Sequence, residues 1–313
     1  MHSTLSPSWG IEPPWGAIPL GLAAAVYTRG WLSLHRRAPH RFGAGRLAAF
    51  LAGLAVLAAA LLSPLHELGA FLLQAHMAQH VLLMMVAPPL LLLGAPFLPI
   101  LRGLPRSLVR AWLVPLLAWP PLVRLGRAVV YPAVAWVIFV GSTWAWHAPA
   151  MYGRALASDG WHYVQHACFL GTALAFWWPV VQPWPSKPVW PGWMLLPYLV
   201  LADLQNTVLS AWLVFSDRVI YPAYEAVPRL WGISALADQA AAGAIMWVPG
   251  SLAFLVPTAW IILRLLTPEA RTTPGGGSLG ARGPRVPALG ATARILFPRS
   301  RASRPGPTTP SSA

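Results

Sequence analysis

The chain has 313 residues, of which 57% are hydrophobic and 10% charged, with 18 tryptophans, a mean hydropathy of +0.57 and a net charge of +14. This balance is too apolar for a soluble domain, and repeated apolar runs of roughly 18–25 residues match the thickness of a bilayer, so the sequence reads as an all-α, multi-pass membrane protein. The excess charge is nearly all arginine and sits in connections and the C-terminal segment, where it orients the chain and meets anionic lipid; no nucleic acid is expected as a partner.

Residues 1–16 read as an extracytoplasmic N-terminal segment. They show no basic n-region followed by a cleavable h-region, so the first span is expected to be a retained anchor. The domain at 17–266 is expected to be a bundle of seven transmembrane helices at about 17–34, 47–62, 76–98, 129–146, 163–181, 193–215 and 238–265. A further apolar stretch at 108–119 is too short to cross and is broken by Pro115, so it is expected to lie at the interface. From 267 to 313 Pro, Gly, Ser and Thr dominate among scattered arginines, the composition of a disordered basic cytoplasmic tail. The single cysteine, Cys168, lies within an apolar run, which excludes intrachain disulfides and CxxC metal sites.

The connections set an orientation. Arg36, Arg37, Arg41 and Arg46 fill the first; Arg102, Arg106, Arg110, Arg124 and Arg127 the third; Lys187 lies in the fifth. The second has Glu67 and no base, and in the fourth and sixth basic and acidic residues balance. Positive connections stay in the cytoplasm. The expected arrangement therefore has the N-terminus outside and the C-terminus inside.

Against that frame the histidines sort themselves. His76 and His80 open the third expected span, His147 closes the fourth, and His162 and His166 open the fifth, so all five fall at the outer face, with His66 in the loop above. Residues four apart share a helix face, so each His-x-x-x-His pair offers two nitrogens to one ion. A lone pair of this kind is commonly interfacial. Two pairs at matching depth favour a metal, because ionisable groups near hydrocarbon are costly and tend to be functional. Imidazole suits copper, zinc and iron, and thioethers at Met77, Met84 and Met151 would tilt the choice toward Cu(I), although methionine such as Met84 is more commonly a gap-filler in helix cores. Gln79 and Gln165, each preceding the second histidine of a pair, are placed to orient ligands or bridge helices. Asp238 opens the seventh span on the same side, where it would hold a ligand imidazole or cap its helix. Asp203 lies mid-span and marks an interhelical bond network or an ion route. His2, His35 and His40 carry no such pattern.

Several of these motifs occur together in one known family. His76-Met77-Ala78-Gln79-His80 running into Leu83-Met84-Met85-Val86-Ala87-Pro88-Pro89-Leu90 and Gly94-Ala95-Pro96 resembles the multi-span CtaG-type cytochrome c oxidase assembly factors. So do Trp146-His147-Ala148-Pro149 with Tyr152, the pair His162 and His166 followed by Phe176-Trp177-Trp178-Pro179, and Asp238-Gln239 followed by Gly243, Met246 and Trp247. Gln165 stands where family members often carry an acidic residue. The resemblance covers about residues 66–265 and implies a multi-pass protein of the bacterial plasma membrane that matures a haem-copper oxidase by helping copper reach it on the outer side. Its implied partners are oxidase subunits and an extracytoplasmic copper chaperone.

On this reading the chain is a non-enzymatic assembly factor. His76, His80, His162 and His166 are its primary copper ligands, His147 an exchangeable one, and Asp238 a supporting group. Two alternatives use the same residues. One is a bis-histidine haem protein; the other is a zinc-dependent intramembrane hydrolase with Asp203 or Asp238 as base.

Overall fold

The computed structural model describes residues 16–267, and every regular element in them is helical. The N-terminal segment and the basic tail expected from composition lie outside the described residues.

Chain order gives α1 (Ala17–His35), α2 (Ala44–Leu62), a short α3 (Pro64–Gly69) and a long α4 (Leu73–Leu93). Then come α5 (Phe97–Gly103), α6 (Arg106–Ala118), α7 (Pro120–Val129), α8 (Pro132–His147) and a short α9 (Pro149–Ala157). The last three are α10 (Asp159–Val181), α11 (Leu195–Phe215) and α12 (Ala235–Leu266).

Prolines punctuate these boundaries. Pro64, Pro132 and Pro149 begin their helices, where a missing N–H costs nothing. Pro149 also forces Ala148 into an extended conformation (ψ 130°), which stops α8 at His147. In α4, Pro88 and Pro89 cannot donate to the carbonyls of Met84 and Met85. The chain answers with a π-helical stretch at Leu82–Val86 and an indole bond: Trp177 Nε1 on α10 donates to the Met84 carbonyl at 2.9 Å.

Among the described residues, five helices are long and apolar enough to cross a membrane: α2, α4, α10, α12, and α11 with its leading turn, Gly192–Phe215. A sixth span results if α6 and α7, bent by 69°, are counted as one. The seven expected spans are thus only partly matched. In α1, Arg29 interrupts the apolar run, and α8 has 16 residues, about 24 Å at the helical rise and so shorter than the hydrocarbon core. The third expected span ends at Leu93, not at 98, because Gly94, Ala95 in a left-handed conformation (φ 47°) and Pro96 break the helix before α5.

Burial separates the central span from the peripheral ones. Two thirds of the α4 window is buried (67%), against 22–44% for the other four spans. It packs against α2, α3, α10 and α12. Outward faces stay greasy: Leu204, Val208 and Phe215 on α11, and Val248, Leu252 and Val256 on α12, are all exposed. Apolar side chains repeated along the outside of long helices belong in lipid.

Close approach of α11 and α12 depends on Gly243, where a Cβ would come within 2.7 Å of Val214 and 3.0 Å of the Ser210 carbonyl.

The orientation is open to a direct check. Reporters fused within residues 63–72, 148–158 or 216–233 should read as extracytoplasmic, and fusions within 36–43 or 182–191 as cytoplasmic. A cytoplasmic signal between 148 and 158 would put the histidines on the wrong side of the membrane.

Candidate metal centre

The N-terminal halves of α4 and α10 and the C-terminal end of α8 deliver five buried or half-buried histidines to one place. His76 and His80 lie edge to face at 4.3 Å between ring centroids, and His162 and His166 are 4.2 Å apart. The pairs meet, with His76 stacked on His162 at 5.1 Å and His80 edge-on to His166 at 5.7 Å. His147 faces His80 at 6.3 Å. The tightest group is His76, His80 and His166, with one nitrogen of each lying within 4.8 Å of the others.

Hydrogen bonds prepare these rings as ligands. His147 Nδ1 lies 2.7 Å from the Thr143 carbonyl, which can only accept, so Nδ1 carries the proton and Nε2 keeps its lone pair. Tyr224 does the same for His76 through one more atom. Its hydroxyl donates to the Gly69 carbonyl at 2.9 Å and therefore accepts from His76 Nδ1, a long bond of 3.4 Å. That leaves His76 Nε2 bare.

Among the described residues the Nε2 atoms of His76, His80, His147, His162 and His166 are all buried without a hydrogen-bond partner, as is Nδ1 of His80. An unsatisfied buried polar atom costs about 1–3 kcal/mol, and an ion held by His76, His80 and His166 would remove that cost for one nitrogen of each. The residues present fit a metal: neutral imidazoles, converging, with lone pairs directed inward.

Other expected site residues fall in different places. Asp238, 1% exposed, bonds no histidine; its carboxylate accepts the backbone N–H of Leu73 at 2.7 Å and of Gln74 at 3.1 Å. These are the first amides of α4, whose own cap position, Leu72, offers no side-chain acceptor. Asp238 therefore caps the helix of the His76/His80 pair from across the bundle, a stronger role than capping its own helix. Asp203 accepts from Ser251 Oγ at 2.6 Å and so ties α11 to α12 rather than serving the histidines. Gln79 Nε2 donates to the Ala60 carbonyl and to His66 Nδ1 at 3.0 Å. Gln165 is fully buried with neither amide atom bonded.

Two groups were not expected as site residues. His66, on α3, stacks on His162 at 5.5 Å and 12°, making a sixth histidine of the cluster. Tyr152, Tyr221 and Tyr224 form a buried cap over it, with Tyr152 stacked on Tyr221 at 4.1 Å and Tyr221 O–H donating to the His147 carbonyl at 2.9 Å. Burial raises the pKa of all three phenols, so they remain protonated donors. Tyr152 stands in the family motif after His147, but local spacing assigns none of the three this role, because their partners lie 72–155 residues away.

Tyr224→Phe should test this support. Losing the acceptor for His76 Nδ1–H is expected to weaken metal binding by about 10-fold, the lower end of what outer ligand partners contribute. Competition titration of the purified protein reads it; unchanged affinity would remove Tyr224 from the site.

A membrane bundle with an imidazole cluster at one end, held by a cross-bundle carboxylate and a tyrosine cap, is the class of protein defined so far. The chain belongs to the cytochrome c oxidase caa3 assembly factor family (Caa3_CtaG), whose model matches residues 25–267. It is also similar to uncharacterised proteins of Mycobacterium bovis and Mycobacterium tuberculosis, each 30% identical over 271 residues, covering 84% of this chain and 39% of the relative. A Mycobacterium leprae protein, likewise uncharacterised, is 27% identical over 268 residues, covering 82% and 38%. The chain thus spans about two fifths of the length of the curated relatives it matches. No solved structure matches it.

Proposed function

We propose that this protein assists assembly of a haem-copper cytochrome c oxidase in a bacterial plasma membrane by holding copper at its outer face and passing it on. The observation that carries the reading is the set of five bare Nε2 atoms on converging histidines inside a family of oxidase assembly factors. Copper is the cargo here, and no bond of the oxidase is made or broken by the protein.

The chemistry suits transfer. Neutral imidazoles bind Cu(I) and Cu(II) without the full charge of thiolates, so the ion can be kept from water and still be released. His76, His80 and His166 would form the primary site, with His162 and His147 available for ligand exchange on entry or exit. Oxidase subunits and an extracytoplasmic copper donor are the partners this reading requires.

Both alternatives meet less support. The hydrolase reading casts Asp203 or Asp238 as its base, yet Asp238 is engaged by two backbone amides and Asp203 by Ser251. A haem needs a wide slot between its axial ligands, whereas these imidazoles pack directly on one another.

The reading is tested by elemental analysis of the detergent-purified protein together with the copper content and activity of the oxidase in a deletion strain. Bound copper and a copper-deficient oxidase are expected. A metal-free protein, or an oxidase with full copper in the deletion strain, would overturn it.

A further inference from the structure

Below the histidine triad, deeper along α4, lies a small cavity of about 20 Å³. Four thioethers line it: Met77, Met84 and Met85 from α4 and Met246 from α12. So do His80, His147 and Asn206.

The backbone explains how adjacent residues reach the same space. Met84 and Met85 lie in the π-helical stretch that Pro88 and Pro89 impose, and the wider turn brings both side chains to the cavity. Met246 arrives beside Asn206, whose amide donates to its carbonyl at 3.2 Å.

Methionine ordinarily fills gaps in a core, and four around a void could be only that. The two histidines argue otherwise. His80 and His147 are 3% and 2% exposed, line this chamber beside the methionines, and each keep a buried ring nitrogen without a hydrogen-bond partner. A buried polar atom is costly unless it meets a partner.

We propose that this chamber is a second, thioether-rich site for Cu(I), with His147 Nε2 and the methionine sulfurs as ligands and His80 shared with the triad above. It rests on the copper-handling reading and extends it to the oxidation state and path of the ion. Thioethers are neutral and soft, so they stabilise a monovalent ion and offer little to Zn(II) or Cu(II). Size agrees: the space holds about one water-sized species, hence a single dehydrated ion and not a hydrated divalent one. Because His80 belongs to both groups, an ion can move between them by exchanging ligands around one imidazole, without returning to water.

The test uses the full-length protein in detergent under anaerobic conditions, titrated with Cu(I) against a chromophoric chelator and, separately, with Zn(II). The double variant Met84→Leu/Met246→Leu conserves volume and should bind Cu(I) at least 10-fold more weakly while keeping wild-type Zn(II) affinity. X-ray absorption of the Cu(I)-loaded wild type should show sulfur neighbours, a measurement that needs no variant to fold. Nitrogen-only coordination, or wild-type Cu(I) affinity in the double variant, would overturn the chamber and leave copper binding at the histidines standing. A wild-type protein that binds no copper would overturn both.

Discussion

His80→Ala is expected to cause the largest functional loss of any single substitution. His80 belongs to the tightest group of nitrogens, lies against His76, His147 and His166, and lines the cavity below. Losing an outer partner of a ligand costs 10–100-fold in affinity; losing the ligand itself should cost on the order of 100-fold or more, and leave the oxidase short of copper. The protein should still insert and fold at least as well as wild type, because the change removes two buried nitrogens that have no partner and Ala is cheaper than His in a membrane helix. His76→Ala and His166→Ala should behave alike but less severely. The control is His40→Ala, since His40 is exposed in the first connection. His35 is a poorer control: its Nδ1 pairs with the Phe42 carbonyl at 2.7 Å and its ring stacks on Trp31, so its loss would loosen that connection. Copper content by elemental analysis and oxidase activity in cells read the outcome. A fully metallated, active oxidase in the His80→Ala strain would sink copper delivery through this cluster.

Asp238→Ala should be the largest structural loss. It strips the cap from two amides of α4, one of them buried, and removes a negative charge from the positive end of that helix. Hydrogen bonds to a charged group are worth about 1.5–3 kcal/mol each, so the two together predict a destabilisation of about 3 kcal/mol or more. Asp238→Asn retains one acceptor oxygen and should recover part of it. Thermal denaturation in detergent measures the difference, and metal titration should show both variants weakened, because the frayed helix carries His76 and His80. If Asp238→Ala melts like wild type, the cross-bundle cap contributes little and the first turn of α4 is held by packing alone.

Much of this site can be read one helix at a time. The pairs His76/His80 and His162/His166 declare themselves by their spacing, since positions four apart share a face whatever the surroundings. His147 is legible too, because Pro149 ends its helix and places it at a helix terminus. Charge in the connections then suggests that all five lie on one side. The membrane class follows from composition and run length alone.

Span number was less legible. Hydropathy marks long apolar runs, yet Arg29 in α1 and the proline-bounded length of α8 leave two of the seven expected helices short of a standard crossing. Gly94 and Ala95 also end α4 earlier than its apolar run does.

Chemistry that depends on partners from other helices was decided only by the tertiary structure. Asp238 could be foreseen as a cap, but the helix it caps begins 165 residues earlier in the chain. His66 joins the cluster through Gln79 and the stack on His162, contacts that no local pattern encodes. The tyrosine cap and the pairing of Met246 with Met77, Met84 and Met85 arise the same way. The physical reason is one of range: periodicity determines which face of a helix a side chain occupies, whereas which faces meet depends on packing among helices whose apolar surfaces are nearly alike in sequence.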